Sequence, residues 1–306
     1  MNILVIGSTN VDMIARVHHL PVPGETVGDA QYCVAYGGKG ANQAVAAAVS
    51  GHSRVEFVSF LGNDIYGDKL ISLFQNKGLS VGHIKKCPGS STGVAFILVA
   101  DNGENCIAVA PGANNLMQGK ELSDIYSLVG KTDVLMLQLE IPYATVLALI
   151  DYAVHVGTKI ILNPAPARQI PIEVLAKVDV LILNETEASV LVGTSCSLET
   201  AAHIARNLCV RKGQVVILTL GDKGAVVVMG DQERYIPAIP VKVVDTTGAG
   251  DTFCGAFASR WIERSDVWEA CRFATAAAAL SVMKSGAQNS IPDLVAIEEF
   301  LKRVEM

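Results

Sequence analysis

Short apolar runs recur along the chain, and most are followed by a stretch with helical spacing. The runs at 3–6, 55–61, 134–137, 159–162, 180–183 and 215–218 are rich in Val, Ile and Leu and predict strands. Between them, Ala41, Ala44, Val45, Ala48 and Val49 fall on one helical face, as do Val146, Leu149, Ile150, Ala153 and Val154. Pro142 near the start of the second helix and Gly157 just past its end supply suitable boundary chemistry. Strands that lack polar alternation are buried on both faces. The pattern therefore predicts an α/β fold, a central and mostly parallel sheet with helices on both faces. No linker, repeat or low-complexity segment interrupts it, so 1–306 reads as one domain.

Two stretches break the rhythm. Residues 11–36 and 93–110 carry no amphipathic helix and read as extended chain. Asp101-Asn102-Gly103, set between 93–99 and 105–110, is a hairpin signal. These pieces predict a small β-sheet lid projecting from the main domain.

Half of the 306 residues are hydrophobic and 18% are charged, which excludes disorder and allows a sizeable core. A net charge of -6 without clustered Lys and Arg gives no electrostatic basis for a nucleic-acid partner. The most apolar stretch, 273–283, is mostly alanine and too short to span a bilayer. The N-terminal apolar run stops at Gly7 and has no basic region before it, so no secretory signal is visible. The seven cysteines are odd in number and form no Cys-x-x-Cys pair, as suits reduced thiols rather than a disulfide framework or a zinc site. A cytoplasmic protein without membrane contact is expected.

Polar residues follow the predicted strands: Asn10 and Asp12, Asn63 and Asp64, Glu140, Asn163, Asn184 and Thr219. Open parallel sheets bind ligands beyond the carboxyl ends of their strands, so this rim is the expected site. Asp245-Thr246-Thr247-Gly248-Ala249-Gly250-Asp251-Thr252-Phe253 runs into a helical face of Phe253, Ala256, Phe257 and Trp261. Its glycines fall at a helix start, where free N–H groups and the helix dipole favour an anion. Asp251 would stand beside that anion. On spacing alone, a capped helix with Asp in its first turn fits equally well. On the residues alone, Asn10 and Asp12 read sooner as a solvated loop, Glu140 as a cap before Pro142, and Lys39 as a surface lysine at a helix start. Asn184 with Glu187 three residues on reads as a capping box. Gly38-Lys39 precedes Gly40 rather than Ser or Thr, which excludes a Walker loop, and Gly248-x-Gly250 lacks the third glycine of a dinucleotide fingerprint.

The 245–253 run resembles the second signature of the ribokinase (PfkB) family of sugar kinases. Gly37-Gly38-Lys39-Gly40-Ala41-Asn42-Gln43-Ala44 is similar to the first signature, with Pro23-Gly24-Glu25-Thr26 ahead of it. Asn184-Glu185-Thr186-Glu187 resembles the family's Asn-x-x-Glu motif, and Asn163-Pro164-Ala165-Pro166-Ala167 a segment typical of ribokinases. Ordered matches extend from residue 6 to about 292.

The resemblance implies ATP-dependent phosphorylation of D-ribose at its 5-hydroxyl, with deoxyribose or another sugar or nucleoside as the alternative substrate. A catalytically silent sensor is a third reading, disfavoured because the motifs are intact. It further implies Asp251 as the base and Gly248, Ala249 and Gly250 as the anion hole. The sugar would meet Asn10, Asp12, Gly38, Lys39, Asn42 and Glu140. ATP would meet Asn184, Glu187, Thr275 and the turn Thr219, Leu220, Gly221, Asp222, Lys223 and Gly224, with Glu187 organising Mg²⁺ through water. Asp245, Thr247, Ser281, Lys284, Gly286 and Ser290 would hold K⁺, and the lid would form a homodimer. Two positions depart from the family pattern. Cys254 stands where asparagine is usual, and Thr275 where His or Asn is common near the adenine.

Overall fold

All six apolar runs form strands in the computed structural model, which describes residues 1–304. The first half runs β1 (Asn2–Ile6), β2 (Asn10–Val17), β3 (Gln31–Gly37), α1 (Lys39–Val49), β4 (Arg54–Gly62), α2 (Ile65–Asn76), β5 (Ile84–Cys87), β6 (Gly93–Ala100), β7 (Asn105–Ala110) and α3 (Leu122–Val129). It continues through β8 (Val134–Leu137), α4 (Tyr143–Val156), β9 (Lys159–Leu162), α5 (Ile172–Leu175), β10 (Val180–Asn184), α6 (Glu185–Val192) and α7 (Leu198–Leu208). The last part is β11 (Val215–Thr219), β12 (Ala225–Met229), β13 (Gln232–Ile236), α8 (Ala249–Arg264), α9 (Val267–Ser281) and α10 (Leu294–Val304).

The central sheet has nine strands in the order β13-β12-β11-β10-β9-β8-β1-β4-β5. Pairing is parallel from β11 to β5, and β12 and β13 extend one edge antiparallel. Alternate residues of each buried strand feed opposite cores. Ile3 and Val5 pack with residues of α1, α2, α8, α9 and α10, whereas Leu4 and Ile6 pack with those of α3, α4, α6 and α7. Phe57 and Phe74, both fully buried, meet edge to face at 5.5 Å between centroids. Each such side chain contributes roughly 2–3 kcal/mol by leaving water. Of the apolar face expected on α4, Val146, Leu149, Ile150 and Ala153 are buried, but Val154 is exposed. It lies at the edge of the stripe in the last turn.

β1 is the switch point of the sheet: the chain passes from it to β4 on one side and, later, to β8 on the other. A crevice opens at such a reversal, beyond the carboxyl ends of the strands. The second sheet, β3-β2-β6-β7, is the expected lid, with β6 and β7 forming the hairpin read from Asp101-Asn102-Gly103. Its inner end sits over that crevice, since Asn10 pairs with Gly37 on one side and Gly93 on the other. Among the described residues, no helix is long and apolar enough to cross a membrane.

Candidate active site

Helices α1 and α8 pack so closely that a Cβ on Gly255 would lie 2.5 Å from the Ala46 Cβ and from the Gln43 carbonyl oxygen. Bare glycine against alanine lets the two backbones approach, and this sets the start of α1 against the start of α8. There, Asp251 is buried at 7% exposure. Its Oδ2 accepts from Asn42 Nδ2 at 2.9 Å and its Oδ1 from Gln43 Nε2 at 3.0 Å. Asp251 lies in the first turn of α8, which Gly248 caps, and its carboxylate is held by α1 rather than by its own helix.

Gly248 caps α8 with φ near 75°, and the Ala249 N–H is bonded to the Thr246 carbonyl. The Thr252 N–H closes the first helical bond to Gly248. Among the described residues this leaves the N–H groups of Gly248, Gly250 and Asp251 without a backbone acceptor. Unpaired first-turn donors are anion-binding chemistry. Gly248, Gly250 and Asp251 line one cavity together with Lys39, Asn184 and Glu187. Asn163, Thr219 and Cys254 border it as well.

Lys39 opens α1, with Gly38 as its N-cap. Burial opposes the charge on the Lys39 ammonium, but Asp251, Glu140 and Glu187 around it outweigh that and raise its pKa. Glu140, between β8 and α4, does not cap α4. Its Oε2 instead accepts from the Lys39 N–H at 3.0 Å and the Ser8 hydroxyl at 2.6 Å, holding the first turn of α1 across the switch point.

Asn10 and Asp12 are strand residues of β2, not a solvated loop. Asn10 is buried, and its Oδ1 accepts from Asn114 Nδ2 at 2.8 Å, which leaves its own amide hydrogens free. The flanking glycines make room for these side chains. A Cβ on Gly93 would stand 2.3 Å from Asn10 Oδ1, and one on Gly37 would stand 2.4 Å from Asp12 Oδ2. Burial, reinforced by Glu140 and Asp251, pushes the Asp12 carboxyl up to about 7. The Asn42 Oδ1 is buried and unpaired, an acceptor that fits an incoming hydroxyl.

On the far side, Asn184 and Glu187 do form the capping box of α6, with the Glu187 N–H on Asn184 Oδ1 at 2.8 Å and the Asn184 N–H on Glu187 Oε2 at 2.9 Å. The box and the cavity wall are the same two residues. Burial pushes Glu187 up, against the opposing pull of the Asn184 N–H and Lys39. Of the run 219–224, only Thr219, the last residue of β11, borders the cavity. Leu220 is buried, and Gly221, Asp222 and Lys223 form an exposed single turn closed by Gly224. Thr275 is buried in α9, with its hydroxyl on the Cys271 carbonyl at 2.9 Å, away from the cavity lining. Burial pushes the Cys254 thiol far up, so it is an inert wall.

The remaining group lies behind α8. Asp245 accepts from the Thr247 N–H and the Gly286 N–H, each at 2.9 Å, and the Val244 N–H reaches the Val282 carbonyl at 2.7 Å. Segments 244–247 and 281–286 are thus pinned side by side. Ser281 and Ser290 are buried, with hydroxyls on the carbonyls of Ala278 and Ala287, and Lys284 is exposed. Three buried residues that sequence reasoning left out of the site join it: Gln43, Gln138 and Asn114. Gln43 stood inside the first signature run without an assigned role, and Asn114 was visible only as a polar residue in a Gly-Ala-Asn-Asn stretch.

Residues 1–294 match the family described as pfkB family carbohydrate kinase. Ribokinase of Haemophilus influenzae is 41% identical over 299 residues, 97% of each chain. Deoxyribokinase of Salmonella typhimurium is 37% identical over 305 residues, 98% of this chain and 99% of the relative. Among solved structures, ribokinase of Thermotoga maritima superposes with a TM-score of 0.87 at 40% identity, covering 98% of this chain and 99% of that one. Arabidopsis thaliana ribokinase complexed with ribose and ATP gives 0.89 at 32% identity, covering 98% of each.

Proposed function

The chain belongs to the pfkB family of carbohydrate kinases, and from that premise we propose that it transfers the γ-phosphoryl group of ATP to the 5-hydroxyl of D-ribose. One observation carries this reading. The Asp251 carboxylate, free first-turn amides of α8, Lys39 and the Asn184–Glu187 pair border a single cavity. In the reaction, the sugar hydroxyl oxygen bonds to phosphorus as the bond to the ADP oxygen breaks. The hydroxyl proton passes to Asp251. An ionised carboxylate is a weak base, which suffices because a loose phosphoryl-transfer transition state asks little of the nucleophile. Gly248, Gly250 and Asp251 N–H groups meet the negative charge on the γ-phosphoryl oxygens, and Lys39 adds a cation.

Asn10, Asp12, Asn42 and Glu140 read the sugar. Asn10 offers donors, and the carboxylates and the unpaired Asn42 oxygen offer acceptors. A buried polar site of this kind discriminates strongly, because a missing hydroxyl leaves a group unpaired. Glu187 and Asn184 suit Mg²⁺ held through water beside the nucleotide phosphates, where the ion neutralises their charge. The carbonyl and hydroxyl oxygens of segments 244–247 and 281–290 suit a large monovalent cation such as K⁺, which would stiffen the start of α8 from behind. One face of the lid carries exposed Tyr32, Val34 and Phe96, an apolar surface that suits a lid-to-lid homodimer.

Deoxyribose is the second reading, favoured by the 37% identity to a deoxyribokinase over nearly the whole chain. An ADP-release assay on ribose, deoxyribose, fructose and adenosine, with and without K⁺, tests both. Ribose is expected to turn over fastest, and faster with K⁺. Turnover on none of the four overturns the kinase reading, and a preference for fructose or adenosine overturns the pentose.

A further inference from the structure

We propose that Gln43 is a positioning residue for the transfer: its side-chain amide fixes the Asp251 carboxylate and ties it, through Asn163, to the nucleotide side of the site. The inference rests on the reading of Asp251 as the proton acceptor.

Gln43 is fully buried on α1. Its Nε2 donates both to Asp251 Oδ1 and to Asn163 Oδ1, each at 3.0 Å. Its Oε1 accepts from Gln138 Nε2 at 2.7 Å. Asn163 Nδ2 in turn donates to the Ile182 carbonyl at 2.9 Å and to Glu187 Oε2 at 3.4 Å. Only one orientation of these amides is chemically consistent. Asn163 turns its nitrogen to two acceptors, so its oxygen faces Gln43, and a flipped Gln43 would set a carbonyl oxygen against two acceptor oxygens. The chain Gln138–Gln43–Asn163–Glu187 therefore has a fixed polarity, with Asp251 as a branch at Gln43.

An apolar side chain would fill this buried position without the desolvation penalty of an amide. Instead, every polar contact of Gln43 goes to Asp251 or to the amides around it. With Asn42 on Oδ2 and Gln43 on Oδ1, the carboxylate plane cannot turn, and the lone pairs left over face the remaining space. A reacting hydroxyl gains from such orientation, since a displacement of about 1 Å can cost 10²-fold in rate.

Gln43→Met keeps the bulk and removes all three hydrogen bonds. The expected result is a kcat roughly 10- to 100-fold lower with KM for ribose within about threefold, because the loss lies in orientation rather than in sugar contacts. Gln43→Glu supplies a donor only when protonated, so its kcat relative to the parent enzyme should rise as pH is lowered. Gln138→Met leaves the contacts to Asp251 and Asn163 in place but frees the far end of Gln43, and a kcat loss of roughly 3- to 10-fold is expected. It serves as the deciding variant if Gln43→Met does not fold. Unchanged kcat in folded Gln43→Met, or in Gln138→Met where the former fails, overturns the proposal, and so does a loss confined to KM. Asp251→Asn separates the two levels. If it turns over ribose with a kcat near that of the parent, the base reading falls and Gln43 with it. If it is inactive while Gln43→Met is normal, only the role of Gln43 falls.

Discussion

Asn42 and Asp251 stand 209 residues apart in the chain, yet the amide of one donates to the carboxylate of the other at 2.9 Å. This bond welds the first turn of α1 to the first turn of α8. The opposite end of Asn42 is a buried oxygen with no partner.

Asp251→Asn retains the shape of the site and removes the proton acceptor. A kcat loss of roughly 10²- to 10⁴-fold is expected, with ribose affinity within about threefold of the parent. Steady-state ADP release together with calorimetric sugar binding would separate the two quantities. A variant with half the parent kcat would remove Asp251 from the chemistry.

Asp12 gives the sugar site a pH dependence with a definite sign. Its carboxyl, pushed up to about 7, is half-protonated near neutrality in the free protein, and only the ionised form accepts from two hydroxyls. KM for ribose should therefore fall as pH rises through 7, and sugar binding should release protons. Stability runs the other way. Between pH 3.8 and about 7 the folded protein keeps a proton that the unfolded chain has lost, so stability declines as pH rises across that window. Asp12→Asn should stabilise the protein at pH 8 by something on the order of 1 kcal/mol while ruining sugar affinity, a trade seen where binding sites store strain. Chemical denaturation at pH 5 and pH 8 checks it.

Gly37→Ala tests the space that holds Asp12. The added methyl would meet only the tip of that side chain, at 2.4 Å from Oδ2. Asp12 can swing aside, so the melting temperature should stay nearly unchanged. KM for ribose, in contrast, should rise about 10-fold or more as the acceptor leaves its place.

Phe96→Glu puts a charge on the exposed outer part of the lid. If the lids pair, light scattering at micromolar concentration should find a dimer for the parent chain and a monomer for this variant. Desolvating one unpaired carboxylate costs several kcal/mol, enough to split an interface of ordinary size.

Much of this was legible in the residues. The buried parallel strands announce themselves because they lack polar alternation, and the lid hairpin is marked by Asp101-Asn102-Gly103. β13 was hidden because four of its five residues are exposed, so it carries no apolar run, and β5 holds two lysines in four residues. At the site, spacing could not tell a carboxylate that caps its own helix from one held by a distant element. Asp251 and Glu140 both serve a partner on a distant element, and only the packing of α1 on α8 and of β8 beside β1 brings those partners near. Asn184 and Glu187 show the reverse: the local reading was right, and the wider fold also sets the same pair on the cavity wall. Gln43 and Gln138 are buried amides whose meaning depends wholly on which neighbours they meet.

The small sheet is joined to the large one without slack. Only Gly7, Ser8 and Thr9 separate β1 from β2, and Gly38 alone separates β3 from α1. A swing of the lid must therefore pull on the turn that bears Lys39, as a door pulls its latch. If the lid closes on a bound sugar, as the proposed function requires, that closure would also move Lys39, and water, too small to draw the lid shut, would leave ATP intact.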